Sequence, residues 1–394
     1  MNRVVITGAG TINALGHSVP ATLEAMREGR CGIGELDFRD VDRLAIRIGA
    51  QVRDFDPLQQ FNRQQLALYD RFTQFTLIAA REAISQSGLV FEGELAARSG
   101  VVLGTAGGGV STWDDNYRSV YEDGKNRVHP FVVPKLMNNA AASHVSMDFN
   151  LKGPSFTVST ACASSNHAMA QAFAMVRSGM APAMVAGGSE SMLCFGGVKA
   201  WEGLRVMSKD ACRPFSATRN GMVQGEGAGV FVFEEYERAK ARGAEILCEV
   251  IGFAMSSDAS DIVMPSKQGA SRAISGALRD AGINGDEVGY ITAHGTGTAA
   301  NDKTECRQAD DLVHQVDACP PDRRHRRGGA AGLHHGGAGR GDRADHRLRG
   351  ARPGMRAGRG PERGARCGCD GGLVERVRLW RPQRCSGDPA YLIA

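Results

Sequence analysis

Ser155-Phe156-Thr157-Val158-Ser159-Thr160-Ala161-Cys162-Ala163-Ser164-Ser165 begins as a strand and ends as a helix, and it changes over at a thiol. The aromatic and β-branched residues 155–158 favour an extended chain. The run that follows, Asn166-His167-Ala168-Met169-Ala170-Gln171-Ala172-Phe173, reads as an apolar helix. Cys162 therefore sits at the first turn of that helix. Backbone N–H groups and the positive end of a helix lower a thiol's pKa and favour the thiolate, the form that attacks carbonyls. Taken locally, a packed structural cysteine and a nucleophile are equally open readings.

Outward from this segment, short apolar strands alternate with helices up to about residue 305. Strands are predicted at 4–7, 100–103, 183–186, 230–233, 246–251 and 290–293, and helices at 21–27, 72–86, 164–177, 236–242 and 270–281. Gly88, Gly179, Gly243 and Gly282 stand where these helices stop, as left-handed caps require. The alternation predicts a mainly parallel sheet covered on both faces. A faint repeat is visible: helix 72–86 leads to strand 100–103 and Gly104-Thr105-Ala106-Gly107, and helix 270–281 leads to strand 290–293 and His294-Gly295-Thr296-Gly297. Two copies of helix, strand and Gly-rich turn suggest a duplicated fold with a site between the halves.

The 394 residues leave room for two or three domains or one large duplicated one, and 42% hydrophobic with 23% charged residues suits a globular chain. A net charge of +4 is too small to argue for nucleic acid. Ten scattered cysteines point to a reducing cytoplasm rather than a disulfide framework. Met1-Asn2-Arg3-Val4-Val5-Ile6-Thr7-Gly8 has too short an apolar run for a signal peptide and reads as a first buried strand. No apolar stretch reaches membrane-spanning length.

A second motif, Ala293-His294-Gly295-Thr296-Gly297-Thr298, puts a histidine at the end of a predicted strand, where ligands and catalysis gather in α/β proteins. A Cys and a His from separate segments would supply a nucleophile and a hydrogen-bond donor for acyl chemistry. These two motifs, with Arg213-Pro214-Phe215-Ser216, Gly225-Glu226-Gly227-Ala228-Gly229, residues 4–10, Asp70-Arg71-Phe72 and Gly187-Gly188-Ser189-Glu190, resemble the β-ketoacyl-acyl-carrier-protein synthases of type II fatty-acid synthesis. The resemblance runs from the first residue to about Glu305, with many motifs in order.

The resemblance implies a thiolase-like, five-layered αβαβα fold of two duplicated halves. It implies that Cys162 takes an acyl chain from acyl-carrier protein, and that His294 is the first of two histidines stabilising the enolate formed on malonyl decarboxylation. It assigns Thr296 and Thr298 to the pantetheine arm, Gly107 and Gly108 to the acyl pocket, and Glu305 to structural support of the site through a partner Lys. It implies a cytoplasmic homodimer that works on phosphopantetheine-linked acyl and malonyl groups, with no metal and no cofactor. Arg63, Arg71, Lys125, Arg127 and Lys209 read either as a face for the acidic carrier protein or as a solvated surface. His144 and His167 read as packed, helix-borne structural histidines.

Two departures stand out. In Asp258-Ala259-Ser260-Asp261-Ile262-Val263-Met264-Pro265, Val263 cannot supply the hydroxyl that housekeeping members carry, and this form is similar to nodulation protein E, a branch making unusual acyl chains. Beyond Cys306 the chain turns rich in Arg, Gly and His, with five of the ten histidines, and the family's Lys, second His and Phe-Gly-Gly turn are missing. Codons permitted for residues 313–331, read one base later, can spell Ser-Thr-Lys-Ser-Met-His-Ala-His-Leu-Ile-Gly-Gly-Thr-Gly-Ala-Val-Glu-Leu. Codons for residues 374–384, shifted alike, can spell Ser-Asn-Ala-Phe-Ala-Phe-Gly-Gly-Leu-Asn. The sequence thus divides into a first half, 1–242, the start of a second half, 243–306, and an out-of-frame tail, 307–394, in which the second half lacks its last strands. That origin removes weight from a nucleic-acid tail and from a metal site at Cys367-Gly368-Cys369. Retention of Cys162 argues against a non-catalytic partner subunit, and a thiolase would need a second cysteine in a context the tail does not provide.

Overall fold

Strand pairing organises the described residues, which are 1–305 together with 378–381 and 390–393 of the computed structural model. Apart from a short antiparallel pair, Gly34–Glu35 with Ile48–Gly49, the strands are β1 (Val4–Asn13), β2 (Gly100–Gly104), β3 (Ser155–Val158), β4 (Ala183–Glu190), β5 (Gly227–Glu235), β6 (Cys248–Phe253), β7 (Val288–Thr292), β8 (Arg378–Arg381) and β9 (Ala390–Ile393). They form one sheet in the order β3-β2-β4-β5-β1-β6-β8-β9-β7. Only β2–β3, β2–β4 and β9–β7 are parallel, so the sheet is mixed rather than mainly parallel. The long excursion between β4 and β5 is not a crossover helix, and β5 returns antiparallel beside β4.

The helices that cover the sheet are α1 (Val19–Arg27), α2 (Arg71–Ser87), α3 (Val110–Tyr121), α4 (Ala140–Asp148), α5 (Ser164–Arg177), α6 (Phe195–Gly203), α7 (Tyr236–Ala241) and α8 (Lys267–Ala281). In α2 the apolar residues recur at helical spacing, Phe72, Phe75, Ala79, Ala80, Ala83 and Ile84, and all are buried. Asp70 caps its start by accepting from Phe72 N–H, and Gly88 ends it in the left-handed region at φ 65°.

Alternation along the strands sends neighbours to opposite faces. Val101, Leu103, Val185, Val230 and Val232 pack with α2 and α4, whereas Val102, Met184, Ala186 and Phe233 pack with Ala168, Ala172 and Phe173 of α5. On β6, Val250 joins the α5 side, and Ile251 faces Ile274, Ala277 and Leu278 of α8. The described layers are therefore α2 with α4, sheet, α5, sheet and α8, the αβαβα arrangement expected from the sequence. The two halves of the sheet join where β1 pairs β6 at Val4–Val250, Val5–Glu249 and Ile6–Cys248.

The duplication is legible in the pairing. From its outer end the second half runs β7-β9-β8-β6, matching β2-β4-β5-β1 with the same sense at each pair. Chain order differs: β9 takes the place corresponding to β4 and β8 that of β5. The sequence led us to expect a second half without its last strands. Instead residues 378–381 and 390–393 complete the ladder, because pairing needs only backbone N–H and C=O groups in register. The remaining tail, including Cys367 and Cys369, lies outside the described residues.

β1 is longer than its apolar run. Gly8 and Gly10 lie under α2, where a Cβ would fall 1.9 Å from Ala83 O and 2.0 Å from Ala79 O. A similar approach occurs at α5: a Cβ on Gly104 would lie 2.2 Å from the Ser164 carbonyl carbon, and one on Gly188 would lie 1.9 Å from Ser165 Oγ. Gly104→Ala is expected to destabilise the chain by about 1–3 kcal/mol. Gly229→Ala, where nothing lies within 4 Å, should stay within about 0.5 kcal/mol. Urea unfolding of both variants checks this.

Candidate active site

The thiol of Cys162 is delivered by an irregular turn between β3 and α5. Ala161 sits in the left-handed region at φ 51°, and Thr160 and Cys162 form an isolated bridge. Ser164 pins the turn: its Oγ accepts from Thr160 N–H at 2.9 Å and donates to Ala161 O at 2.5 Å. Ser164 N–H also donates to Ala161 O, and Ala163 N–H to Thr160 O. Cys162 is half-buried, one residue before the Ala163 cap of α5.

The neighbouring turn after β2 is held by a buried carboxylate. Glu190, at the end of β4, accepts from Thr105 Oγ1, Ala106 N–H at 2.7 Å and Gly107 N–H. Burial pushes its carboxyl above the usual range, and these donors oppose that shift. Gly108 adopts φ 62°, and a Cβ there would meet Asn138 Oδ1 at 2.3 Å, so backbone geometry alone calls for glycine. A Cβ on Gly107 would face Val110 and Met192 side chains. Asn138 donates to Ser159 Oγ, and Ser159 Oγ donates to Ala106 O, which ties this turn to the one bearing Cys162.

His294, Thr296, Thr298 and Glu305 gather in one turn after β7. Glu305 accepts from His294 N–H at 2.6 Å, Gly295 N–H at 2.8 Å and Asn301 Nδ2 at 2.9 Å. Burial pushes the Glu305 carboxyl up, against these donors. The Thr296 and Thr298 hydroxyls lie 2.8 Å apart. Asp302 accepts from Gly297 N–H and Phe215 N–H, and Gly221 N–H donates to Gly297 O. The turn is thus fastened to the Arg213-Pro214-Phe215-Ser216 segment. Burial pushes the His294 imidazole down to about 3, so it is neutral at ordinary pH.

The two groups of site residues connect through intermediates. Met192, which touches the Gly107 turn, leads into Leu193 and Phe195, and these pack with Met222, next to Gly221. Glu226 is a further buried anchor: it accepts both arms of Arg71 at 2.7 and 2.9 Å, Val52 N–H and Ser191 Oγ. Arg71 is committed to this pair and does not belong to an exposed basic face, whereas Arg63, Lys125, Arg127 and Lys209 are exposed. His144 packs edge-on to Tyr69 at 4.5 Å, as a structural histidine does. Sequence reading missed Asp302 and Asn138; for Asp302 the available signal was a carboxylate four residues after the Gly-Thr-Gly-Thr run that follows a strand, whereas Asn138, between two helices, carried no such signal. Among the described residues no group of three or more His, Cys, Asp or Glu could hold a metal ion, and no helix is long and apolar enough to cross a membrane.

These turns each lie at or beside the end of a strand in a duplicated αβαβα fold. The N-terminal domain model of β-ketoacyl synthases matches residues 1–239 and the C-terminal domain model matches residues 247–320. The chain belongs to the β-ketoacyl synthase family, whose members are acyltransferase-type condensing enzymes. It is 45% identical over 303 residues to nodulation protein E of Rhizobium sp. (strain N33), covering 77% of this chain and 75% of that one. It is 39% identical over 313 residues to 3-oxoacyl-[acyl-carrier-protein] synthase 2 of Synechocystis sp., again covering 77% and 75%. Among solved structures it resembles a β-ketoacyl synthase from Burkholderia phymatum STM815, with TM-score 0.73, 31% identity and coverage of 79% and 78%. It also resembles the ishigamide ketosynthase/chain length factor, with TM-score 0.75, 31% identity and coverage of 79% and 77%.

A histidine buried in its neutral form takes up its proton only after unfolding. The unfolded chain therefore binds more protons than the folded one between about pH 3 and pH 6.5, and stability rises with pH through that window. His294→Gln should lose less stability than the parent chain between pH 6.5 and pH 4.5. Denaturant midpoints across that range measure the difference, and equal slopes would contradict it.

Proposed function

We propose that the chain is a β-ketoacyl-acyl-carrier-protein synthase of fatty-acid biosynthesis, joining acyl-carrier-bound acyl and malonyl groups by decarboxylative Claisen condensation. The observation that carries this reading is the pinned turn that holds Cys162 at the start of α5, in a chain whose Glu305 fixes the His294 turn. The Cys162 thiolate attacks the acyl thioester carbonyl, the pantetheine thiol leaves, and backbone N–H groups, Cys162's own among them, receive the oxyanion. Malonyl thioester then loses CO2, and its enolate carbon attacks the acyl-Cys162 carbonyl and releases the thiolate. Neutral His294 donates a hydrogen bond to the enolate oxygen, which its depressed pKa supports. Thr296 and Thr298 hold the pantetheine arm, and Gly107 and Gly108 border the acyl path.

Carrier protein is the partner this reading requires, and one solved structure that the chain resembles, with TM-score 0.69 and 28% identity, holds a type II polyketide acyl-carrier protein in complex with its ketosynthase. The exposed Arg63, Lys125, Arg127 and Lys209 suit an acidic partner. A cytoplasmic homodimer fits the same reading. A non-catalytic partner subunit is disfavoured because the nucleophile is retained.

The domain reading is a first half at 1–242, the start of a second at 243–306 and a tail, 307–394, read out of frame. The exchanged order of β8 and β9 relative to β5 and β4 supports it. Without the second His, acylation should survive and decarboxylation should be crippled. With purified chain, acyl-Cys162 formation by mass spectrometry is expected and should vanish in Cys162→Ala. CO2 release from malonyl-carrier protein should fall by about 10²-fold or more relative to a chain with the tail restored. Equal vigour in both steps would refute the tail reading, and no acyl-Cys162 would refute the nucleophile. Resequencing the codons for residues 300–394 tests the frame directly: the restored reading should carry the Lys, the second His and the Phe-Gly-Gly turn together. In that restored chain Gly107→Ile should shorten the accepted acyl chain, and an unchanged chain-length profile would count against the pocket assignment.

A further inference from the structure

The turn that bears Cys162 is held at its far side by a residue that the condensation steps above do not use. Ser164 ties Thr160 and Ala161 to the helix cap, but those bonds span only a few residues. One contact reaches from the turn into the body of α5: Thr160 Oγ1 lies 2.7 Å from His167 Nδ1. His167 is buried at 6% exposure, and its own N–H donates to Ala163 O at 2.9 Å within the helix. It is therefore fixed by the helix, whereas Thr160 belongs to the turn. Between Thr160 and Cys162 stands Ala161 at φ 51°, a conformation that a residue with a Cβ adopts only when its surroundings impose it.

Resting on the reading of Cys162 as nucleophile, we propose that His167 is a positioning residue: its Nδ1 bond to the Thr160 hydroxyl holds the left-handed turn at Ala161 and so aims Cys162 Sγ at the start of α5. A hydroxyl can donate or accept, so the bond forms with either tautomer of a neutral imidazole. His167 acts through Thr160, and it neither touches substrate nor exchanges a proton with it. When the bond is lost, Ala161 relaxes toward an ordinary conformation and the thiol swings away from the helix N–H groups that favour its thiolate.

The test is the rate at which iodoacetamide alkylates Cys162, followed by peptide mass spectrometry between pH 6 and pH 9 in the full chain. His167→Ala, His167→Phe and Thr160→Val should each slow alkylation roughly tenfold, the scale of a modest misplacement of a reacting group. His167→Asn puts an amide where Nδ1 lies, and Thr160→Ser keeps the hydroxyl. Both should return the rate to within about threefold of the parent, a rescue that loss of packing alone would not give. The pair His167→Ala with Thr160→Val should be no slower than either single change, as for two ends of one interaction. His167→Phe keeps the packed volume, and Thr160→Val approaches the bond from its other end should His167→Ala unfold. Parent-like alkylation in a folded Thr160→Val or His167→Phe chain, or losses that simply multiply in the pair, would overturn the proposal. Failure of the nucleophile reading would show separately, as absence of acyl-Cys162 in the parent chain.

Discussion

The site depends on how closely the first turn of α5 approaches the ends of β2 and β4. At Gly104 and Gly188 no side chain separates helix from strand, and the backbone of Ser164 and the hydroxyl of Ser165 fill the space a Cβ would take. Packed interiors do not yield at that distance. Any Cβ there must push the helix start outward, and with it the turn from Thr160 to Cys162. The geometry of the thiol is in this sense a consequence of two absent methyl groups on other strands.

Around that contact the loops are held by buried carboxylates rather than by extra apolar packing. Glu190 gathers the turn after β2, Glu226 joins Arg71, Val52 and Ser191, and Glu305 gathers the turn at His294. Each uses both oxygens on backbone N–H groups and on hydroxyl, amide or guanidinium donors, which is what makes burial of a carboxylate tolerable. Such anchors act at strand ends, where sheet hydrogen bonding stops and N–H groups still need partners. Removing one therefore frees a loop without opening the core.

Much of this was legible in the amino-acid order. The strand-to-helix change at Cys162, the helix at 72–86 and the repeat of helix, strand and Gly-rich turn follow from periodicity and caps, and all appear in the fold. The extent of β1 was not, because Gly8 and Gly10 interrupt its apolar run and their reason lies in α2, about seventy residues away. Strand direction was not either, since an alternation of helices and strands does not say whether the chain crosses over or turns back. Arg71 and His167 looked like a surface cation and a packed imidazole. Their partners, Glu226 and Thr160, were in plain view, but only folding brings the pairs within hydrogen-bonding distance.

The pairing of β1 with β5 and β6 carries a consequence for synthesis. Val4 pairs Glu235 on one side and Val250 on the other, so the first strand made lies between two that emerge more than two hundred residues later. Loop closure of that span is slow, and such long-range pairing delays folding. Until about residue 235 has left the ribosome, Val4, Val5 and Ile6 have no native edge to join, and the second edge waits for about residue 250. The nascent chain therefore carries an unpaired apolar strand through most of its translation, a natural point for chaperone capture.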